Sequence, residues 1–232
     1  MLYRQLLLFV ATILSFGAAE RTFAQTHAGD VEIGVSGSQL TTSEQVFESD
    51  FIPFGSVLFT DEPGFDSEIG TFNAGDDVGF NVTQALHYWN GTQLATALGD
   101  PPLMIDFFGQ PTVNVDSSTA FDPGFNFPTV ASGDNGVIHR HLDFSLPISA
   151  PDGAYGLVLQ LDSPQYAASD EFLIVFNNNL SGAEFDAGVD AISQAAFAVP
   201  EPEAWALWAI GAAMFALGFW WKRRGSRPFR SA

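Results

Sequence analysis

Between residues 25 and 198 the chain never keeps one hydrophobic period for long. Short runs rich in Val, Ile, Phe and Tyr are cut apart by Gly, Pro, Asn and Asp. They are Val31 to Val35, Gln45 to Ile52, Val57 to Thr60, Val78 to Val82, Ala85 to Trp89, Leu103 to Phe107, Thr112 to Val115, Val137 to Phe144, Ala154 to Leu161 and Phe172 to Asn177. Runs of this length suit strands, and turn formers at this density suit hairpins, so the pattern predicts an all-β body, an antiparallel β-sandwich. The 174 positions of residues 25–198 suffice for one domain with a real core. One short helix is expected at Ala187 to Phe197, ahead of the prolines at 200 and 202.

Charge narrows the functions this body can serve. Residues 25–199 hold 24 acidic side chains and one basic one, Arg140, a net of −23 with His neutral. Such a field repels phosphate backbones, which excludes nucleic acid as a partner, and it attracts cations. The chain has no Cys, so disulfides, Cys-ligated metals and thiol nucleophiles are excluded. The body has no Lys, which excludes lysine-based covalent catalysis.

The remaining basic residues mark the two ends. Arg4, the apolar run Leu6 to Phe16 and the small residues of Thr22-Phe23-Ala24 compose a signal peptide over residues 1–24, cleaved by signal peptidase after Ala24. At the other end Ala204 to Trp221 carries no charge and as a helix spans ~27 Å, the thickness of a hydrocarbon core. Trp205, Trp208, Trp220 and Trp221 stand near its ends, and the basic tail 222–232 opens with Lys222-Arg223-Arg224. A transmembrane helix with a cytoplasmic tail and an outward body is expected. Val199-Pro200-Glu201-Pro202 precedes it, a stiff exposed spacer of the kind a protease needs.

This order of parts, Val-Pro-Glu-Pro, one apolar helix and a terminal basic cluster, resembles the PEP-CTERM sorting signal over residues 199–232. The resemblance implies a membrane exosortase as processing partner. It implies an exported protein, anchored transiently in the inner membrane and then placed at the cell surface or in an extracellular polysaccharide matrix.

Turn signals are dense. Asp61-Glu62-Pro63-Gly64-Phe65-Asp66 is echoed by Asp122-Pro123-Gly124-Phe125-Asn126, and a Pro-Gly pair suits the centre of a type II turn. The clusters Asp61, Glu62, Asp66 and Asn73, Asp76, Asp77 offer the hard oxygens that calcium uses, without the spacing of an EF-hand loop. Solvated turns are the plainer reading, and calcium is the lesser cofactor candidate.

Nitrogen ligands are few: His27, His87, His139 and His141. In Gly136-Val137-Ile138-His139-Arg140-His141-Leu142-Asp143-Phe144, a strand would turn His139, His141 and Asp143 to one face. Successive side chains there stand ~6.5–7 Å apart, so two imidazoles can converge on one ion, with Asp143 as an outer acceptor. An exposed face with two titrating histidines is the alternative. His87, in Leu86-His87-Tyr88-Trp89, reads as a satisfied, partly buried histidine or as a fourth ligand.

The opening His27-Ala28-Gly29-Asp30-Val31-Glu32-Ile33-Gly34 resembles PEP-CTERM surface proteins under zinc-repressor control. The His-x-His-x-Asp-Phe run followed by Gly153-Ala154-Tyr155-Gly156-Leu157 resembles bacterial surface-anchored domains in which a His-x-His strand precedes a Gly-x-Tyr strand. The resemblance implies one zinc site from His27, His139 and His141. Gly29, between Ala28 and Asp30, departs from the pattern and bears on where His27 falls. Four histidines would close a structural tetrahedron, and three plus water a hydrolytic centre.

There is no Gly-x-Ser-x-Gly elbow, Gly-rich phosphate loop or His-Glu-x-x-His helix. The expectation is a non-enzymatic exported binding or structural module with a His-based zinc site. The alternatives are a secreted metal- or carboxylate-dependent hydrolase of matrix polymer and a calcium-dependent adhesive module.

Overall fold

The computed structural model of the chain describes residues 29–198, apart from 98, 100 and 128–135. The expected signal peptide over residues 1–24, His27, Val199-Pro200-Glu201-Pro202, the apolar segment 204–221 and the basic tail lie outside the described residues. Among the described residues no helix is long and apolar enough to cross a membrane.

Among the described residues the body is mostly β with one helix. In chain order the strands are β1 (Val31–Ser36), β2 (Gln39–Thr42), β3 (Val46–Asp50), β4 (Ile52–Phe54), β5 (Val57–Thr60), β6 (Phe65–Asp66), β7 (Val78–Val82) and β8 (His87–Trp89). They continue as β9 (Leu103–Asp106), β10 (Val113–Val115), β11 (Asn126–Phe127), β12 (His139–Arg140), β13 (Asp143–Pro147), β14 (Gly153–Asp162) and β15 (Glu171–Asn178). The helix α1 spans Gly182–Ala196.

Three sheets result, in the orders β12-β6-β1-β2, β10-β9-β13-β5-β4 and β11-β7-β14-β15-β3, with β8 also on β14. Most described pairings are antiparallel, as expected, but β1 with β6 and β15 with β3 are parallel. Both parallel pairs arise where chain from a distant hairpin slots in beside an existing strand.

The long strands β14 and β15 form the middle of the largest sheet and are buried on both faces. On one face Tyr155, Leu157, Leu159, Leu161, Phe172, Ile174 and Phe176 enter the main core. There Phe65 of the first sheet meets Phe127 and Phe172, and Phe144 of the second meets Phe176, with ring centroids 4.9–6.5 Å apart. Edge and tilted aromatic packing of this kind adds to the burial of area itself. On the other face Ala154, Gly156, Val158, Leu173 and Val175 lie beneath α1, which sets down Phe185, Gly188 and Ile192.

Helix α1 begins five residues earlier than the expected Ala187. Its start is a capping box: the Ser181 hydroxyl and backbone N–H both donate to the Glu184 carboxylate, at 2.7 and 3.1 Å. The Glu184 carboxylate supplies an acceptor at the end where backbone N–H groups lack one, so small residues downstream do not delay the helix.

The run Val137 to Phe144 is not one strand. His139–Arg140 pairs with β6 in the first sheet, and Asp143 onward pairs with β5 and β9 in the second. The chain crosses between sheets at His141-Leu142, with Leu142 fully buried as the pivot. The expected alternation survives the crossing: Ile138, Leu142 and Phe144 are buried while His139 and Asp143 are exposed.

The echoed Pro-Gly segments differ in backbone. Gly124 is left-handed at φ 57°, as a type II turn asks, whereas Gly64 is not left-handed and runs directly into β6. What they share is an acidic side chain two residues back that accepts the glycine N–H, Glu62 at 3.1 Å and Asp122 at 3.0 Å.

Candidate metal centre

Loop 61–66, between β5 and β6, is built by its acidic side chains. The Gly64 N–H donates to Asp30 Oδ1 at 2.9 Å and to Glu62 Oε2 at 3.1 Å, so one amide draws two carboxyl groups together. Asp30 is buried, and Val31 N–H donates to the Gly64 carbonyl at 2.8 Å, which locks the start of β1 against the loop. Burial, then a hydrogen bond to Asp30 and its charge, push the Glu62 carboxyl above its ordinary value; the Gly64 amide and His141 oppose this.

This loop also meets both histidines of the His-x-His run. His139 stands directly across from Asp66 in the β12–β6 pairing, and its Nδ1 lies 2.5 Å from Asp66 Oδ1. His141 Nδ1 lies 3.0 Å from the Asp61 carbonyl oxygen and 3.8 Å from Glu62 Oε1. A carbonyl only accepts, so His141 Nδ1 carries the proton and donates it. The carboxylate imposes the same tautomer on His139. In the neutral form both rings then hold their lone pair on Nε2, the arrangement in which an oxygen-anchored imidazole serves as a metal ligand. The two ring centroids are 5.3 Å apart and the rings nearly perpendicular, at 80°.

Gly64 is needed here for space. A Cβ at this position would stand 2.8 Å from His141 Cε1 and 3.1 Å from both Asp30 carboxylate oxygens. The same distances place Asp30, near the start of the described chain, beside His141.

His87 keeps other company. It lies on β8, with Nε2 3.2 Å from Gln84 Oε1, while Gln84 Nε2 donates to the Ala196 carbonyl at 3.0 Å and to Glu171 at 3.2 Å. The ring is thus part of the clamp on the end of α1, and burial pushes its proton affinity down. Among the described residues, no group of three or more His, Asp or Glu is arranged to hold a metal ion. Of the candidate ligands among the described residues, the structure brings His139 and His141 together and sets His87 apart.

Asp143, expected as the outer acceptor, faces carboxylates. It sits opposite Asp106 on β9, and burial followed by the charges of Asp61 and Asp106 pushes its carboxyl above the usual range. The outer acceptors are instead Asp66 and the Asp61 carbonyl. Asp66 belongs to the acidic cluster that the sequence reads first as a solvated turn and only second as calcium oxygens. The second cluster closes on itself: Asp76 Oδ2 accepts Asn73 N–H at 2.9 Å and Tyr166 Oη–H at 2.6 Å.

No protein-family model matches the chain, and no curated protein is significantly similar to it in sequence.

Proposed function

We propose that the chain is an exported cell-surface or extracellular-matrix protein, sorted by an exosortase, whose body is an antiparallel β-sandwich acting as a non-enzymatic binding or structural module with a zinc site at His139 and His141. The observation that carries the zinc reading is the anchoring of both Nδ1 atoms by oxygens of loop 61–66, with the rings 5.3 Å apart. Imidazole nitrogen suits zinc, and an acidic field raises the local concentration of any divalent ion.

His27 is the proposed third ligand. Asp30 stands beside His141 across Gly64, and three residues of extended chain span ~10 Å, so His27 is within tether of the pair. The bound ion would tie the N-terminal arm to the loop, which is a structural role.

The test is calorimetric titration of zinc into the purified protein and a His139→Ala/His141→Ala variant. The double variant should lose tight zinc binding and keep its melting temperature within a few degrees, because both rings sit at the surface of the fold. Affinity of the parent should fall on acidification, since protons compete for imidazole. Unchanged zinc affinity in the double variant would place the site elsewhere.

A further inference from the structure

We infer that Asp66 is the positioning residue of the zinc site and stays off the ion, fixing His139 as an Nε2 ligand, so that the site takes an imidazole-preferring ion and rejects calcium; this rests on the zinc reading above. Asp66 is held on both sides. Its backbone pairs with His139 on β12 and with Glu32 on β1, so its side chain leaves the middle of a three-strand row. Its carboxylate is only 16% exposed, against 55% for the His139 ring it holds. The charge of Asp66 is felt on the other side too: burial, then Glu68 and Asp66, push the Glu32 carboxyl above its ordinary value.

The geometry divides labour between the two rings. His141 is anchored by a backbone carbonyl, which no side-chain substitution removes. His139 is anchored by a side chain, so its tautomer and ring direction depend on one replaceable group. An Asp66 carboxylate hydrogen-bonded to Nδ1–H fixes the tautomer and the ring direction, and so aims Nε2. Were Asp66 itself a ligand, the site would mix oxygen with nitrogen and tolerate calcium.

The experiment uses the chain from Gln25 to Ala232 in detergent micelles, as wild type, Asp66→Asn and Asp66→Ala. Zinc and calcium are each titrated calorimetrically, and the histidine tautomers of the zinc-free wild type are read from long-range nitrogen–proton NMR correlations in mildly alkaline buffer. The expected results are an Nδ1–H tautomer for His139, a zinc affinity lowered about 10- to 100-fold in Asp66→Ala and less in the isosteric Asp66→Asn, and no calcium binding at this site that Asp66 substitutions change. Wild-type zinc affinity in both variants, or loss of calcium binding in them, overturns the positioning role while leaving the zinc reading in place. A wild type that binds no zinc defeats the zinc reading instead. The tautomer needs neither metal nor variant: an Nε2–H form of His139 overturns the inference by itself.

Discussion

Replacing Gly156 by Ala tests how α1 is seated on the sheet. Gly156 lies in the middle of β14 with His87 and Val175 as strand neighbours, and a Cβ there would meet Ile192 Cγ2 at 2.4 Å. Ordinary contact begins near 3.4 Å, so the helix or the Ile192 side chain must retreat by about 1 Å. Sideways escape is closed, because His87 Cβ and Leu173 Cδ1 each stand at 3.3 Å. Overpacking of this kind costs ~1–3 kcal/mol, and the reduced freedom of the unfolded chain returns ~0.4–1 kcal/mol. From the middle of the two ranges the net loss is about 1 kcal/mol, which for a domain of this size lowers the melting temperature by roughly 2–4 °C. Ile192→Ala, which empties a fully buried position, should cost about 2–5 kcal/mol alone. In the double variant the new methyl enters the space Ile192 leaves, so the two losses should fall short of their sum by about 1 kcal/mol or more. Urea unfolding of the four proteins reads the cycle. A neutral Gly156→Ala, or strictly additive losses, would refute the seating of α1 on Gly156.

Two further outcomes are expected. If the tail is a sorting signal, the mature protein on its native surface ends near Pro200, and mass spectrometry should find no Trp205 to Trp221 peptides in the bulk of it. At the turn capped by Asp76, the Tyr166 hydroxyl, and to a lesser degree Asn73, hold the carboxyl below its ordinary value. The folded value is thus below the unfolded one. The stability this provides is present above the ordinary carboxylate range and is lost as pH falls through the folded value. Tyr166→Phe should therefore cost about 1 kcal/mol at neutral pH and less in strong acid, read from urea midpoints at both; a pH-independent difference would assign the loss to packing.

Much of the fold was legible because strand faces have a period of two. Each of the ten apolar runs contains at least part of a strand. The strands that escaped were β2, whose Gln39-Leu40-Thr41-Thr42 holds one apolar residue, and the two-residue β6 and β11, which are too short to carry a period. These exist through their partners alone. The helix start was readable in Ser181-Gly182-Ala183-Glu184, and the near-continuous apolar runs of β14 and β15 already asked for a cover on both faces. The pairing of His139 with His141 was readable from spacing even though the strand between them was not, since a chain crossing from sheet to sheet still alternates. The role of Asp66 was not readable. It depends on β6 pairing with β12, a contact between residues 73 positions apart.

The acidic surroundings of the proposed site bear on which ion it would keep. Asp143 faces Asp106 across β13 and β9, and Asp61 follows Thr60, the partner of Phe144, so three carboxylates stand in a row across adjacent strands. Like charges placed opposite one another cost ~0.2–1 kcal/mol each, and the body spends that stability within a few residues of its His pair. Such a row draws divalent cations without distinguishing among them. The carboxylates nearest the histidines, however, are already engaged: Glu62 with Asp30 and the Gly64 amide, Asp66 with His139, Asp106 with the Thr112 hydroxyl. A calcium ion would have to break these bonds to gather its six to eight oxygens. Zinc would take the two Nε2 lone pairs that the same bonds have oriented. Attraction by the field and selection by the imidazoles would thus be separate steps, and loop 61–66 would serve both, through Asp61 in the row and through the oxygens that hold the two rings.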